Sequence, residues 1–309
     1  MGATASGKAE LARAAAREAG ALLVSCDSMK VYRGMDVGTA KPAPAERGEW
    51  FGLDLVDPWE RFDASRFRAV FDGALARARA EGRPLLLSGG TMLYLKAATE
   101  GLCDAPPRDD AVRQALTAEA EALGAPALHA RLRAVDPAAA GRIHENDLRR
   151  VVRALEVHTV TGRALSDLHA ESGGRLREVR PDLRRTVFVV RREREDMDRR
   201  IDARVLRMLE LGWADECRRL LADPRGISTE AAQALGYREL FAWLQAGGVG
   251  APPEDVVRRV QTATRRFARR QLTWLRHIDG VEVLTVPPDG RALDALPRVV
   301  AAMRAPAAS

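Results

Sequence analysis

The sequence contains few cysteines and no long apolar run. Only three of its 309 residues are cysteines, and Cys26, Cys103 and Cys217 are scattered without a CxxC pair. This pattern is typical of a reducing compartment and argues against a cysteine-based metal site. The longest uncharged apolar runs, such as residues 85–87 and 187–190, are too short to cross a bilayer. We therefore predict a soluble, cytoplasmic protein.

Lysine is also scarce. Lys8, Lys30, Lys41 and Lys96 are the only lysines among 49 basic residues, so 45 are arginines, and the formal net charge is +6. Two explanations are open: the base composition of the genome, or contact with phosphates and nucleic acid, which the planar guanidinium group suits. With 46% hydrophobic and 30% charged residues, the chain is not disordered in bulk and has room for an α/β domain with an insertion.

The arginines are concentrated in one segment. Seven arginines and no acidic residue lie between positions 258 and 276. This predicts one strongly positive surface. Arg265, Arg266, Arg269 and Arg270 either contact RNA phosphates there or form a solvated basic face.

The first residues match the phosphate-loop pattern G-x-x-x-x-G-K at positions 2–8. In such a loop, backbone N–H groups converge on phosphate oxygens, a lysine neutralises them, and a helix begins directly behind. Residues 9–19, rich in Ala, Leu, Arg and Glu, predict that helix. We therefore predict that this segment binds phosphate.

Two features depart from the phosphate-loop pattern. Position 9, which usually carries the Ser or Thr whose hydroxyl holds Mg²⁺, is Ala9, so one metal ligand is lost. Such a loop also follows a buried central strand, and only Met1 precedes Gly2. We expect the first core strand to be missing, either because the start codon is mis-called or in a severely destabilised product. An in-frame stop codon immediately upstream in the genomic DNA would contradict a mis-called start.

Short apolar segments alternate with amphipathic ones, which predicts an α/β fold: a P-loop NTPase-like parallel sheet core with a helical insertion domain. Asp27 and Thr91 follow the first two predicted strands, and polar groups at such strand ends line the site of an open parallel sheet. We expect both to converge on the phosphate loop. The predicted strands are residues 21–25, 84–87, 186–190 and 281–286, and the predicted helices are 67–80, 92–100, 194–221, 229–245 and 253–277.

Residues 109–168 read as a long helical stretch without a convincing strand. We therefore predict a catalytic core formed by residues 1–107 and 181–309. The helical insertion domain is predicted at residues 108–180.

Seven segments together resemble the bacterial tRNA dimethylallyltransferases, also called tRNA isopentenyltransferases or IPP transferases. They occur in the family's order and spacing across essentially the whole chain, and the segment at residues 27–42 is the most specific. Against the family pattern, Ala3 replaces a proline, Lys30 a neutral residue, and Trp50 and Phe51 replace histidines. The segments are 2–8 (GATASGK), 27–42 (DSMKVYRGMDVGTAKP), 89–94 (GGTMLY), 142–147 (RIHEND), 153–157 (RALEV), 234–239 (ALGYRE) and 269–276 (RRQLTWLR).

The resemblance implies transfer of a dimethylallyl group from dimethylallyl diphosphate to the exocyclic N6 amine of the adenosine 3′-adjacent to the anticodon. Diphosphate is released, so the phosphate loop would hold a leaving group rather than ATP. The implied partner is the tRNA anticodon stem-loop, the implied cofactor is Mg²⁺, and the enzyme is expected to be a monomer. Asp27 is the expected catalytic base and a weak Mg²⁺ ligand, or else a helix-capping carboxylate. Thr91 would position the same amine, or cap a helix.

The resemblance also implies contact residues for each substrate. Diphosphate would contact Gly2, Ala3, Thr4, Ala5, Ser6, Gly7, Lys8, Ala9 and Arg204, although a solvated helix face is the other explanation for Arg204. The tRNA would contact Asp27, Ser28, Met29, Lys30, Thr91, Arg113, Arg149, Arg150, Val151, Val152, Arg153, Gln233, Ala234, Leu235, Gly236, Tyr237 and Arg238.

Two other functions compete with this one. A catalytically impaired paralogue would bind tRNA without prenylating it, as Ala9 and the missing strand suggest. A small-molecule kinase would share the phosphate loop, but it explains neither residues 27–42 nor the basic helices.

Overall fold

The computed structural model describes residues 1–103, 105–171, 183, 185–278 and 280–304. The chain forms two compact units. The core unit comprises Met1–Ala98 and Leu183–Ser309, and the helical unit comprises Thr99–Asp182. The helical unit therefore begins at Thr99 rather than at residue 108, and the predicted boundary at residue 180 lies outside the described residues.

The described core unit contains two parallel sheets. In the first, the strand order is β2 (Trp50–Phe51), β1 (Leu22–Cys26) and β3 (Leu85–Gly89). In the second, β4 (Val187–Arg191) pairs with β5 (Val281–Thr285). Every residue of β1 is buried, as expected for a central parallel strand with helices on both faces. The predicted parallel α/β architecture is confirmed.

Residues 1–7 contain no regular strand. Gly2 forms an isolated parallel bridge with Val190 of β4, and Val190 N donates to Met1 O at 3.0 Å. A Cβ atom on Gly90, just after β3, would come within 3.2 Å of Gly2 O. The loop therefore starts between the ends of β3 and β4.

Helices are the main regular elements of both units. The core unit first contains α1 (Lys8–Ala19), α2 (Ala64–Ala80) and α3 (Met92–Thr99), which ends at the boundary. The helical unit contains α4 (Asp110–Leu123), α5 (Ala125–Val135), α6 (Pro137–Ala140), α7 (Leu148–Thr161) and α8 (Leu165–Glu171). The core unit continues with α9 (Arg194–Glu210), α10 (Trp213–Leu221), α11 (Thr229–Ala232), α12 (Tyr237–Gln245), α13 (Glu254–Leu275) and α14 (Leu296–Arg304).

Two helices predicted as continuous are each divided at a glycine. Gly212 has a φ of 87° and separates α9 from α10, and Gly236 has a φ of 80° and directly precedes α12. Residues with a Cβ rarely adopt such positive values, so each glycine permits the chain to change direction. The predictions of single helices at 194–221 and 229–245 were therefore wrong.

Each unit has its own apolar core. In the core unit, Leu11 and Ala15 of α1 pack with Val190, Leu284 and Val299. A second cluster lies under the phosphate loop, and the helical unit has a separate core. The loop cluster consists of Ala3, Met197, Ile201 and Ala268, and the core of the helical unit includes Leu116, Leu128, Leu132, Val151 and Leu155. Of the described helices, none combines the length and apolar character that a bilayer crossing needs.

Candidate active site

The ends of β1 and β3 bring Asp27 and Thr91 together. Gly90 N and Thr91 N donate to Cys26 O at 3.1 and 3.2 Å, which fixes the two strand ends side by side. Thr91 Oγ1 accepts from Ser28 N at 3.0 Å. Both side chains line a cavity of about 510 Å³ that also exposes residues of the phosphate loop. The fold therefore brings Asp27 and Thr91 close to the phosphate loop, as the sequence predicts.

The phosphate loop is held through its carbonyl oxygens. Arg192 and Arg200 donate from their Nε atoms to Ser6 O and Ala5 O, both at 3.1 Å. Ala5 and Gly7 have positive φ values of 62° and 94°. Such left-handed residues turn neighbouring N–H groups to one side of the backbone, as in concave anion-binding nests. The loop therefore has the backbone shape of an anion-binding nest, held in place by two arginines behind it.

In the described part of the chain, the charged lining of this cavity divides into paired and unpaired side chains. Arg13 pairs with Glu46, Lys41 with Asp36 and Asp54, and Glu10 with Arg291. The remaining charged groups are three cations and Asp27. Lys8, Lys30 and Arg204 line it together with Asp27. Burial lowers the pKa of Lys8 to about 7, with a further contribution from Arg204, while Asp27 acts in the opposite direction. Burial also lowers the pKa of Lys30 and of Arg204. Neither of these two side chains has an ion-pair or hydrogen-bond partner among the described residues, so the cavity is electrostatically prepared for an anion.

The cavity also has an apolar wall. Ile201, Val205 and Met208 lie on one face of α9, and Phe267 of α13 and Met29 complete the wall. Apolar side chains beside a few placed charges are typical of a pocket for a small molecule with an apolar and a charged end.

Other loop residues lie beneath the cavity rather than in its lining. Ala3 and Ser6 have no exposed side-chain surface, and Gly2 is buried against Val190. Thr4, Lys8 and Ala9 line the cavity directly.

Glu216, which no sequence motif singles out, is a buried carboxylate that anchors the loop at residues 36–38. Its Oε2 accepts from Asp36 N and Val37 N, both at 2.8 Å, and its Oε1 accepts from Gly38 N at 3.2 Å. Tyr237 Oη donates to Oε1 at 2.5 Å. The available signal was an acid on the buried face of the amphipathic helix α10.

Replacing Glu216 with glutamine should destabilise the protein by about 2–5 kcal/mol, because an amide N–H₂ would face backbone donors that lose their acceptor. The free energy of unfolding from urea titration measures this. Glu210→Gln, at an exposed position of α9, is the matched control and should stay within about 0.5 kcal/mol of the unmodified chain. Equal stability of the two variants would contradict an anchoring function for Glu216.

The residues predicted to contact tRNA in the core unit differ in exposure. Ser28, Met29, Lys30, Gln233 and Leu235 line the cavity. Ala234 and Tyr237 also reach it but are almost fully buried, and a Cβ at Gly236 would overlap the Trp213 ring. Arg238 is exposed and pairs with Glu239 at 2.5 Å.

In the helical unit, the predicted RNA contacts differ in exposure. Arg149 and Arg150 are exposed, whereas Val151 and Val152 lie in the unit's apolar core. Arg113 and Arg153 both pair with the fully buried Glu156, at 2.9 and 2.7 Å. Arg150 also pairs with Asp147, at 3.3 Å, but on the surface of the helix. Side-chain contact with RNA therefore fits Arg149 and Arg150, while the two valines and the two arginines paired with Glu156 hold the helices together.

The basic segment of α13 is partly neutralised. Arg258 and Arg259 pair with acids in the first turn of their own helix, Glu254 and Asp255. Arg265 and Arg269 pair with Asp202 and Asp198 of α9, the latter at 3.3 Å. Arg266, Arg270 and Arg276 are exposed and have no ion-pair partner among the described residues. The positive surface is therefore narrower than the sequence predicts.

The profile of the IPP transferase family matches residues 30–278. The tRNA dimethylallyltransferase of Anaeromyxobacter dehalogenans is 47% identical over 308 residues, which cover 99% of this chain and 97% of that protein. The chain belongs to the IPP transferase family. The tRNA dimethylallyltransferase of Geobacter sulfurreducens is 42% identical over 93% of this chain and 91% of its own length.

Solved structures of IPP transferases share the fold. The full-length tRNA isopentenylpyrophosphate transferase of Bacillus halodurans aligns with a TM-score of 0.67 and 32% identity over 97% of this chain and 92% of that one. A eukaryotic dimethylallyltransferase, captured acting on tRNA, aligns with a TM-score of 0.76 and 25% identity. That alignment covers 97% of this chain and 76% of the eukaryotic one.

Proposed function

We propose that this IPP transferase moves a dimethylallyl group from dimethylallyl diphosphate to the N6 amine of the adenosine 3′-adjacent to the anticodon of tRNA. The bond between C1 of the dimethylallyl group and the diphosphate oxygen breaks, and its electron pair leaves with diphosphate. The amine nitrogen forms the new bond to C1 and gives up one proton. The reaction therefore needs a cation-lined place for the leaving group, beside a hydrogen-bond acceptor for the amine.

The cluster of Lys8, Lys30 and Arg204 opposite Asp27 is the observation that carries the proposal. It has an excess of positive charge, and Lys30 and Arg204 have no ionic partner in the described chain. A diphosphate supplies the missing negative charge, and the phosphate-loop N–H groups supply further donors. Thr4, Gly7 and Lys8 would hold the leaving group from one side and Arg204 from the other. The apolar wall of α9 suits the dimethylallyl chain.

Asp27 and Thr91 form the acceptor half of the site. Asp27 Oδ1 already accepts from Met29 N at 2.9 Å, so its second oxygen remains for the amine. We propose that Asp27 accepts the proton of the amine as the new bond forms, and that Thr91 orients the amine. Because the cavity is recessed, the adenosine must leave the stacked anticodon loop to reach it.

We propose that exposed arginines bind the RNA backbone: those of the core unit that lack an ion pair within the described ranges, and two neighbouring ones on α7. Arg266 and Arg270 suit phosphates in the core unit, and Arg149 and Arg150 suit them in the helical unit. We further propose that the enzyme acts as a monomer in the cytoplasm, where its tRNA substrate is found.

Mg²⁺ is the proposed metal. The described residues hold no group of three or more His, Cys, Asp or Glu side chains arranged for a metal ion, and Ala9 offers no hydroxyl. This donor set fits Mg²⁺ bound mainly through diphosphate oxygens and water, because that ion typically uses one or two carboxylates and keeps several waters. Asp27 would be its protein ligand, and the ion would supply charge neutralisation for the leaving group. Loss of activity on addition of a chelator, restored by Mg²⁺, tests this assignment.

Incubating the purified protein with dimethylallyl diphosphate and an anticodon stem-loop tests the function. Nuclease digestion and mass spectrometry should show dimethylallyl on the adenosine that follows the anticodon. A stem-loop with guanosine at that position is the control and should remain unmodified. Binding of the stem-loop with no product would instead identify the catalytically impaired paralogue. Against that alternative stands the complete cluster of cations, Asp27 and Thr91.

A further inference from the structure

Gln271 connects the two halves of the active site. It lies near the C-terminal end of α13, four residues before Leu275, with 7% of its surface exposed. Its Oε1 accepts from Thr4 N of the phosphate loop at 2.9 Å, and its Nε2 donates to Gly90 O at 2.8 Å. Gly90 directly precedes Thr91. One amide group thus hydrogen-bonds both the diphosphate segment and the segment that carries the amine acceptor.

The close contact explains the glycine at position 90. A Cβ atom there would lie 2.2 Å from Gln271 Nε2, far below any normal contact distance. Gly90 does not have the left-handed backbone conformation that favours glycine. The approach of the Gln271 amide, rather than the φ value of Gly90, is therefore the main restriction on this position, with a weaker one from Gly2 O at 3.2 Å.

The rest of α13 packs against the same elements. Ala268 and Leu272, on the same face as Gln271, contact Ala3 of the loop and Met197 and Ile201 of α9. The neighbouring Arg270 is exposed on the other face. Gln271 therefore connects α13, the helix that carries the basic surface, to both the phosphate loop and the end of β3.

We propose that Gln271 is a positioning residue that sets the distance between the leaving diphosphate and the N6 amine. This inference rests on the proposed function. In a displacement reaction the reacting atoms must be aligned within a fraction of an ångström, and misplacement by about 1 Å can cost roughly 100-fold in rate. Gln271 fulfils this function through Thr4 and Gly90, without transferring a proton or holding the metal.

The first experiment compares Gln271→Met with the unmodified enzyme under single turnover and at steady state. Methionine has nearly the same shape but forms neither hydrogen bond. We expect kcat to fall by about 10–100-fold, with the KM values for both substrates within about threefold. Gln261→Met is the matched control on the same helix. The Gln261 amide reaches only Asp202 O, at 3.5 Å, so its kcat should be unchanged.

Rates are divided by the concentration of diphosphate-binding sites, measured by calorimetry, so that misfolded protein does not enter the comparison. A kcat within twofold of the unmodified enzyme would overturn the inference. So would an unchanged kcat with a large rise in the KM for dimethylallyl diphosphate, because that result makes Gln271 a simple binding residue. If the unmodified enzyme itself forms no product, it is the proposed function that fails.

A second experiment uses the contact with Gly90 and does not depend on the methionine variant folding well. Gly90→Ala should lower kcat by about tenfold or more in the unmodified chain, because the new methyl group displaces the amide. In the Gln271→Ala background the same substitution should lower kcat by a clearly smaller factor, since the displaced amide is gone and only the approach to Gly2 O remains. Equal effects in the two backgrounds would contradict the proposal.

Discussion

Replacing Asp27 with asparagine should lower kcat for prenyl transfer by about 10²–10⁴-fold, the usual contribution of a well-placed general base. The asparagine oxygen can still accept the hydrogen bond from Met29 N that Asp27 Oδ1 accepts at 2.9 Å, so the turn should survive. What is lost is an acceptor that can carry the proton of the amine. Single-turnover formation of modified adenosine, followed by mass spectrometry, measures the effect.

The affinity for diphosphate should not fall with kcat when it is measured without Mg²⁺. Asp27 is the carboxylate that opposes Lys8, Lys30 and Arg204 across the cavity, so the Asp27→Asn variant should bind metal-free diphosphate at least as tightly as the unmodified enzyme. Asp294→Asn is the matched control, because Asp294 is exposed and likewise accepts from a backbone N–H, that of Arg291, at 2.9 Å. A kcat of Asp27→Asn within fivefold of the control would remove Asp27 from the chemistry.

The residues that the sequence predicts well belong to local patterns. The phosphate loop depends on the spacing of Gly2, Gly7 and Lys8, and the helix α1 starts at Lys8 directly behind it. Asp27 and Thr91 follow strands that are read from short apolar runs, and parallel strands place their carboxyl ends at one edge. Each of these predictions needs only neighbours within a few residues.

The residues that the sequence does not predict depend on contacts between distant segments. Glu216 caps the N–H groups of residues 36–38, and Gln271 bonds Thr4 and Gly90, so neither can be recognised before the helices are packed. The ion pairs of the basic helix are not predicted from the sequence for the same reason. Arg265 and Arg269 look unpaired along their own helix and find their acids on α9.

Binding of diphosphate should weaken as the pH rises above about 7. Burial, aided by the repulsion of Arg204, lowers the pKa of Lys8 to about 7 in the free protein. A bound diphosphate favours the ammonium form and raises that pKa, so below pH 7 the lysine is already charged and affinity is at its full value. Above pH 7 binding must take up a proton, and affinity falls until the pKa of the complex is reached. Calorimetry in buffers of different ionisation enthalpy measures this proton uptake directly.

Lys8→Met should lower diphosphate affinity on the order of 10²-fold at pH 6.5, where the lysine is charged, because one partner of a buried charge pair is truncated. The loss should shrink at pH 9, where the free lysine is largely neutral, and the proton uptake should disappear. Lys96→Met is the control, since Lys96 lies on α3 over the Trp274 ring and does not line the cavity. Ionisation of diphosphate itself is common to all three proteins and cancels in the comparison. A pH dependence that is identical in Lys8→Met and in the control would place the titrating group elsewhere, and Lys30, whose pKa burial also lowers, would be the next candidate.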